Sequence, residues 1–229
     1  MKRQDLYFAI VMLAIFLPFF LSADLYEWYK QFNMEHAMVM AFLKFGILAT
    51  LGEMLGCRIS TGNYTTPTFG VLPRMVVWGV LGVAISMAMQ VFSNGIPAFI
   101  TNMGGEELVT AFKAEGFSWG KLAVALSISV MMNTFFAPVF MTFHKITDAH
   151  IAENGGSLLA LLKPIDMRRH IMTLNWDRQW SFIFKKTIPL FWYPAHTITF
   201  MLPKEMQVLF AALLGVALGV ILAIGARKK

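Results

Sequence analysis

The sequence is poor in cysteine and in charged residues, and both shortages limit what the protein can be. Its single cysteine, Cys57, excludes an internal disulfide and a cysteine-cluster metal site. Only 14% of the residues are charged, whereas soluble domains have about 25%, so charge cannot cover a water-facing surface. The sequence also lacks a serine-nucleophile motif, a phosphate-binding loop and a zinc-binding helix motif. It therefore does not indicate an enzyme, and it calls for no cofactor or metal.

Hydrophobic residues, at 57% of the 229 positions, dominate instead. Five apolar runs are long enough to cross a bilayer, which takes about 20 residues. A sixth run is shorter and contains Pro189 and Pro194, but it remains densely apolar. We predict one transmembrane domain over residues 1–229, an all-α polytopic bundle of about six spans. The predicted spans are 6–22, 38–57, 75–93, 122–143, 187–202 and 206–224.

The distribution of lysine and arginine favours six spans with both termini in the cytoplasm. In that topology the inner side holds fourteen basic residues, the outer side holds four, and Lys44 lies inside a span. The outer four are Lys30, Lys113, Lys121 and Lys204. Omitting the sixth run would move the three basic residues at the C-terminus outside and weaken the bias. The first run is interpreted as a retained anchor, because it contains Pro18 and lacks a clean signal-peptide cleavage site.

These basic residues indicate a membrane protein and not a nucleic-acid-binding protein, although the net charge is +6. They flank apolar runs, whereas a nucleic-acid surface needs a basic stripe on a folded domain. We predict a multi-pass protein of a bacterial inner (cytoplasmic) membrane. Residues 144–181 are predicted to form a basic inner loop, which either lies against anionic lipid headgroups or is solvated.

Small residues recur at helical spacing in two of the spans. In a bilayer, helices associate by close packing of small residues, because apolar faces gain nothing by leaving lipid. The expected role is packing within the bundle, and a homo-oligomer contact is the alternative. The residues concerned are Gly52, Gly56, Ala211, Gly215, Gly219 and Ala223.

Charged residues inside the second span are unusual because hydrocarbon penalises them. Lys44 either extends its side chain to the outer headgroups or faces a wet cavity, where it would attract an anionic solute. Glu53 is about half a turn out of phase with Lys44, so the two cannot share a face. Glu53 is expected to meet Arg58 or Arg74 at the inner rim.

Uncharged polar residues lie at membrane depth in the third, fourth and fifth spans, close to Pro138 and Pro194. Interrupted helices with polar residues at mid-depth are where transporters place their pathways, although hydrogen bonds between helices would explain the same residues. The candidates for a cavity lining are Lys44, Ser86, Gln90, Asn133, Thr134, His196 and Thr197. His144, Asp148 and His150 do not form a metal site by spacing, because only the first two share a helical face.

Several segments occur in the order typical of a known family. They are Gly52-Glu53, Arg74-Met75 with Gly79, Phe136-Ala137-Pro138, and the stretch from Trp192 to Pro203. The chain resembles the Mpv/PMP-type membrane proteins of mitochondria and peroxisomes, whose pattern includes Gly-Asp, Arg…Gly and Phe-Ala-Pro. It departs from that pattern at Met132-Asn133, where the family has Asp-Gln. The resemblance implies a helical bundle that is proposed to act as a channel or solute carrier.

We therefore predict a channel or carrier for a small solute, with an anion as one candidate class. One alternative is a substrate-binding membrane subunit of a multi-component importer. Another is a structural or lipid-interacting membrane protein without transport activity. Expected partners are membrane lipids, a small-molecule solute and, through the small-residue faces, another copy of the chain.

Overall fold

The computed structural model describes residues 3–227, with side chains described up to residue 221. Every regular element in that range is a helix, which confirms the predicted helical fold class. In chain order the elements are α1 (Arg3–Leu21), α2 (Ala23–Glu35), α3 (Ala37–Thr61), α4 (Val71–Asn102), α5 (Glu106–Lys113), α6 (Trp119–Glu153), a 3₁₀ helix (Leu158–Leu162), α7 (Met167–Thr173), α8 (Trp176–Arg178), a π helix (Gln179–Trp192), α9 (Tyr193–Met201) and α10 (Lys204–Arg227).

Five of the described helices are long and apolar enough to cross a membrane. They are α1, α3, α4, α6 and the Lys204–Ile221 part of α10, and they overlap the five strongest apolar runs. The sixth predicted span, 187–202, falls in a helical stretch in which α8, the π helix and α9 follow without a break. The prolines do not end this stretch, because the wider π turns bond five residues apart, as from the Tyr193 N–H to the Ile188 carbonyl.

The segment predicted as an inner loop, 144–181, is mostly helical. α6 continues to Glu153, and the 3₁₀ helix, α7 and α8 follow before the π helix begins. Ile146 and Ile151 are each 1% exposed, so the apolar stripe of α6 continues beyond the predicted span. The predicted span ends earlier than α6 because the hydropathy signal ends where charged residues begin, whereas the helix continues with one buried face.

Five helical segments form a closed ring, which we call the helix ring. α3 packs between α4 and α10, and α6 packs between α4 and α9 with its preceding π helix. Contacts between α9 and α10 complete the circuit. Helices adjacent in the ring are therefore not always adjacent in the sequence, and residues far apart in the chain face a common interior.

The first two helices lie outside this ring. No residue of α1 is buried, as expected for a helix that faces lipid on most of its surface. Its N-terminal end is fastened by a bidentate pair between Asp5 and Arg58, with Arg58 Nε 2.7 Å from Asp5 Oδ1. Phe8 stacks on Tyr64 with ring centroids 4.6 Å apart. Burial, together with the neighbouring Asp5 carboxylate, raises the pKa of the Tyr64 phenol.

Glycines bring α3 and α10 into backbone contact. A Cβ added to Gly52 would lie 2.8 Å from the Cα of Val216, and one added to Gly219 would lie 3.2 Å from the Gly52 carbonyl oxygen. A Cβ on Gly215 would meet nothing within 4 Å, because this residue faces the interior of the ring. Of the small residues of α10, Gly219 thus contacts α3, whereas Gly215 faces an open space. Ala223 also lies in α10, but its side chain is outside the described part.

A packed apolar cluster fills one end of the ring, toward α5 and the connection between α9 and α10. Its members come from α3, α4, α6, α9 and α10, and they include side chains with no exposed surface. Interlocked side chains of this kind exclude water, so this end of the ring is sealed. The cluster consists of Phe45, Leu48, Ala88, Met89, Val124, Ala125, Ile128, Met132, Phe200, Ala211 and Ala212.

Candidate functional site

The helix ring encloses a cavity of about 450 Å³, which we call the ring cavity. All five ring segments contribute to its wall, and most of the lining is apolar or aromatic. The volume is within the range of roughly 300–1,000 Å³ typical of small-molecule sites, which combine apolar walls with a few polar groups. Prominent apolar lining residues are Ile85, Phe136, Phe140, Trp192 and Leu218.

The two ends of the ring cavity differ. At one end Phe45, Met132 and Ala211 form the floor, and all three belong to the packed cluster that seals the ring. At the other end Lys145 and Arg178 line the cavity and are exposed. The cavity is therefore closed toward α5 and opens at the end that carries the basic residues.

Close to the floor, three polar side chains form a hydrogen-bonded chain between α6 and α9. The Ser129 hydroxyl donates to the Tyr193 carbonyl at 2.8 Å. Asn133 Nδ2 donates to the Ser129 carbonyl at 2.8 Å, and its Oδ1 lies 3.1 Å from Nδ1 of His196. The exposed fractions of Ser129, Asn133 and His196 are 0%, 2% and 7%.

The hydrogen bonds determine where His196 carries its proton. A backbone carbonyl only accepts, so Asn133 must present its NH₂ to Ser129 and its oxygen to His196. That oxygen also only accepts, so Nδ1 of His196 carries the proton. No carboxylate pairs with His196 within the described residues, and burying an unpaired cation is costly, so the imidazole is neutral. Its Nε2 then carries a lone pair.

Nε2 of His196 has no hydrogen-bond partner among the residues that the structure describes. The imidazole is held in place, because Trp192 stacks on it with ring centroids 4.9 Å apart and an interplanar angle of 29°. His196 lines the ring cavity. The floor therefore presents one fixed hydrogen-bond acceptor without a partner in a largely apolar surface.

At the open end, an ion-pair cluster joins α3, α4 and α6. Arg74 Nη1 lies 2.5 Å from Oε2 of Glu53 and also pairs with Asp148. His144 Nε2 lies 3.1 Å from Oε1 of Glu53, and Lys145 Nζ lies 3.1 Å from Oδ2 of Asp148. We call these five residues the rim cluster, because Glu53, His144 and Lys145 also line the cavity.

The rim cluster could geometrically hold a metal ion. One ligand atom each from Glu53, His144 and Asp148 lie within 4.8 Å of one another. However, Arg74 and Lys145 already neutralise the two carboxylates, and Lys145 bonds the same Asp148 oxygen that faces His144. The charges balance without an added cation, so the arrangement favours a structural ion-pair network.

Arg178 differs from the other basic residues at this end. It lines the ring cavity and is exposed, and its side chain forms no hydrogen bond or ion pair within the described residues. Arg58, by contrast, is occupied by Asp5 and does not contact Glu53. The cavity mouth thus carries one guanidinium that is available to an anion.

Lys44 is buried but does not line the ring cavity. Its exposed fraction is 6%, its Nζ donates to Oδ1 of Asn33, and it lies 5.2 Å from the ring centroid of Tyr29. Both partners belong to α2, which covers this part of α3. Lys44 thus extends toward α2 and away from the ring cavity, because α2 folds over this part of α3, which hydropathy does not indicate.

Of the other residues predicted to line a cavity, only some do so. Asn133 and His196 meet at the cavity floor, whereas Ser86 is buried and Gln90 is exposed, and neither lines the cavity. The two threonines, Thr134 and Thr197, both form hydrogen bonds with Tyr193. The Thr134 hydroxyl lies 2.7 Å from its phenolic oxygen, and the Thr197 hydroxyl donates to its carbonyl at 2.7 Å.

Sequence reasoning missed several residues of the site, although a signal for some of them was present. On α6, Asn133, Ala137, Phe140 and His144 all line the cavity. Their spacing of three or four residues places them on one helical face. The same face leads to Asp148 in the rim cluster. Ser129, four residues before Asn133, continues this face in the other direction. Arg178 had no such signal, because its place at the cavity depends on how α8 packs.

A second depression, of about 550 Å³, lies outside the ring beside the end of α6 and α7. Its polar groups largely satisfy one another. Arg169 pairs with Glu153, Lys163 donates to Asn154 at 2.8 Å, and His150 Nε2 lies 3.0 Å from the Ala160 carbonyl oxygen. The ring cavity, with its unpartnered groups, is therefore the stronger candidate site. Comparison of the chain with protein-family models, with curated proteins and with solved structures gives no match.

Proposed function

We propose that this chain is a six-span carrier of a bacterial inner membrane that binds a small amphiphilic anion in the ring cavity. One observation carries the proposal. The ring cavity is apolar along its wall, sealed at one end, and bears an available guanidinium at the other. A solute with an apolar body and an anionic end matches both features, since Arg178 supplies the charge complement.

A carrier fits these features better than a channel does. A channel needs a continuous path, whereas the packed cluster of the ring blocks the route beyond Phe45 and Met132. A carrier opens to one side at a time by moving helices around a fixed site. The arrangement described here corresponds to the state that is open toward Arg178.

The proposed topology places the open end in the cytoplasm. Fourteen basic residues against four favour that orientation. The sixth span is provided by the π helix and α9, which contribute 14 and nine residues. This length is sufficient, because about 20 helical residues cross a bilayer. The resemblance to the Mpv/PMP-type proteins is compatible with this proposal.

The test is uptake of octanesulfonate, a permanent amphiphilic anion, into liposomes that contain the purified protein. Gly215→Leu should place a side chain in the ring cavity, because a Cβ there meets no atom within 4 Å. Ala217→Leu makes a similar change on the exposed side of α10. We expect saturable uptake with the unmodified protein and Ala217→Leu, and at least a tenfold loss with Gly215→Leu.

Uptake that equals that of protein-free liposomes would refute the carrier proposal, as would unchanged uptake by a folded Gly215→Leu protein. Binding without uptake would instead favour the alternative of a solute-binding subunit that needs an energising partner. Absence of both would favour a structural or lipid-interacting role.

A further inference from the structure

We propose that the solute of the ring cavity carries a hydroxyl group at the end opposite its anionic group, and that this hydroxyl donates a hydrogen bond to Nε2 of His196. The inference rests on the proposed function, because it assumes an amphiphilic anion in the ring cavity. It adds which chemical group the floor recognises and which atom recognises it.

The first step is the chemistry of the floor. His196 is 7% exposed and lines the ring cavity, and its Nε2 has no partner among the described residues. This nitrogen is not among the fully enclosed polar atoms that lack a partner, so it is open to a molecule in the cavity. A ligand that shields it from water without bonding to it loses a hydrogen bond. Because Nδ1 already donates to Asn133, Nε2 can only accept, so the complementary ligand group is a donor.

The second step is the fixed geometry of that acceptor. Asn133 holds one edge of the imidazole through a hydrogen bond of 3.1 Å, and Trp192 holds its face by stacking at 4.9 Å. Asn133 is itself bonded to Ser129. A preorganised acceptor selects a ligand donor with little loss of conformational freedom. In an apolar surrounding it discriminates strongly against an analogue without the donor.

The third step is the distance between the two recognition points. Eleven positions of α6 separate Asn133 at the floor from His144 in the rim cluster, which corresponds to roughly 16 Å of helix. The wall between them is formed by apolar and aromatic residues such as Phe136 and Phe140. The ligand is therefore elongated, with an apolar middle, a hydroxyl at the floor and an anion near Arg178.

The test compares three tritiated ligands in nanodiscs, with binding to empty nanodiscs subtracted. They are octanesulfonate, 8-hydroxyoctanesulfonate and its methyl ether, 8-methoxyoctanesulfonate. The ether keeps the oxygen but cannot donate, so this pair isolates the hydrogen bond. We expect the alcohol to bind about tenfold more tightly than the ether, because one additional hydrogen bond shielded from water raises the affinity by about that factor.

Two variants assign the effect to the proposed atom. His196→Phe keeps an aromatic ring beside Trp192 but removes the acceptor, so the alcohol and the ether should bind equally. Thr134→Val changes an exposed residue that does not line the cavity, and it should preserve the tenfold difference. Should His196→Phe fail to fold, the difference in affinity between the alcohol and the ether for the unmodified protein still tests the inference.

The outcomes separate the two proposals. Equal binding of alcohol and ether to the unmodified protein overturns this inference, while uptake of octanesulfonate would still support the carrier. A preference for the alcohol without any uptake supports the inference and refutes transport. Absence of binding by all three ligands overturns both.

Discussion

Nδ1 of His196 in α9 lies 3.1 Å from Oδ1 of Asn133 in α6, 63 positions earlier in the chain. This hydrogen bond crosses the floor of the ring cavity and joins two helices whose relative placement shapes the site. It also directs the unpartnered nitrogen of His196 toward the cavity. A single amide therefore contributes both to the stability of the ring and to the chemistry of its interior.

Replacing Asn133 with leucine should destabilise the protein. The change leaves the Nδ1–H of His196 buried without an acceptor, which costs about 1–3 kcal/mol. The measurement is the free energy of unfolding in detergent. Ser127→Ala on the same helix is the control, because it removes only a hydroxyl bonded within α6 and should change that free energy by less than about 1 kcal/mol. A stable Asn133→Leu protein would contradict the assigned hydrogen bond.

Arg74→Met should destabilise the protein far more than Arg58→Met. Arg74 separates the carboxylates of Glu53 and Asp148 in a largely buried cluster, and removing one partner of such a network costs about 3–5 kcal/mol. Arg58 pairs with Asp5 at the periphery, where solvent screens the charges and an ion pair contributes little to stability. Unfolding of both variants in detergent gives the comparison, and adding Glu53→Gln to Arg74→Met should restore part of the loss.

Gly52→Ala and Gly215→Ala should differ, because Gly52 of α3 contacts α10 whereas Gly215 of α10 faces the ring cavity. At Gly52 the new Cβ would lie 2.8 Å from the Val216 backbone, and forcing the helices apart costs about 1–3 kcal/mol. At Gly215 the Cβ enters open space, so stability should be unchanged. Equal thermal stability of the two variants would show that α3 and α10 do not pack as described.

The proposed topology predicts which face of the membrane exposes Cys57. Because it is the single cysteine of the chain, a membrane-impermeant maleimide reports on it without further changes. We expect labelling only in inside-out vesicles. In a Cys57→Ser, Lys113→Cys protein the new thiol lies at the end of α5 and should instead be labelled in intact cells. Labelling of both from one side would contradict six spans with the open end inside.

Removal of divalent metal ions should leave the protein unchanged. In the rim cluster Arg74 and Lys145 already compensate Glu53 and Asp148, so no cation is needed for charge balance. The expected result is the same melting temperature with EDTA and with added Zn²⁺ or Mn²⁺. A large rise with one ion, lost in His144→Phe, would establish a metal site there.

The sequence predicts membrane-length helices well, because hydrocarbon selects apolar runs directly. It also indicates Asn133 and His196 as polar residues at depth. Hydropathy could not reveal that Thr134 and Thr197 form hydrogen bonds with Tyr193. It also could not reveal that α2 packs over Lys44, which donates a hydrogen bond to Asn33. Those outcomes depend on how helices pack against each other, and a bilayer gives no sequence pattern for this beyond small residues.

The π helix explains the largest remaining difference. Prolines 189 and 194 suggest a broken span, since proline removes a backbone donor. The structure instead continues through them with wider turns, and the Thr187 hydroxyl donates to the Phe182 carbonyl five residues earlier. The face that this segment presents is thereby shifted. Ile183 and Trp192 are nine residues apart and would lie half a turn out of phase in an α-helix, yet both line the ring cavity.

The length of α6 has a consequence for the route by which a molecule reaches the protein. Its 35 residues extend about 52 Å, and even at a tilt of 40° they exceed a hydrocarbon layer of about 30 Å. In the proposed topology, Asp148 and Lys145, near its end, then stand among the phosphates of the inner leaflet. A solute of the proposed carrier that dissolves in that leaflet would approach the opening sideways, and its supply would follow the oil–water distribution ratio instead of its concentration in the cytosol.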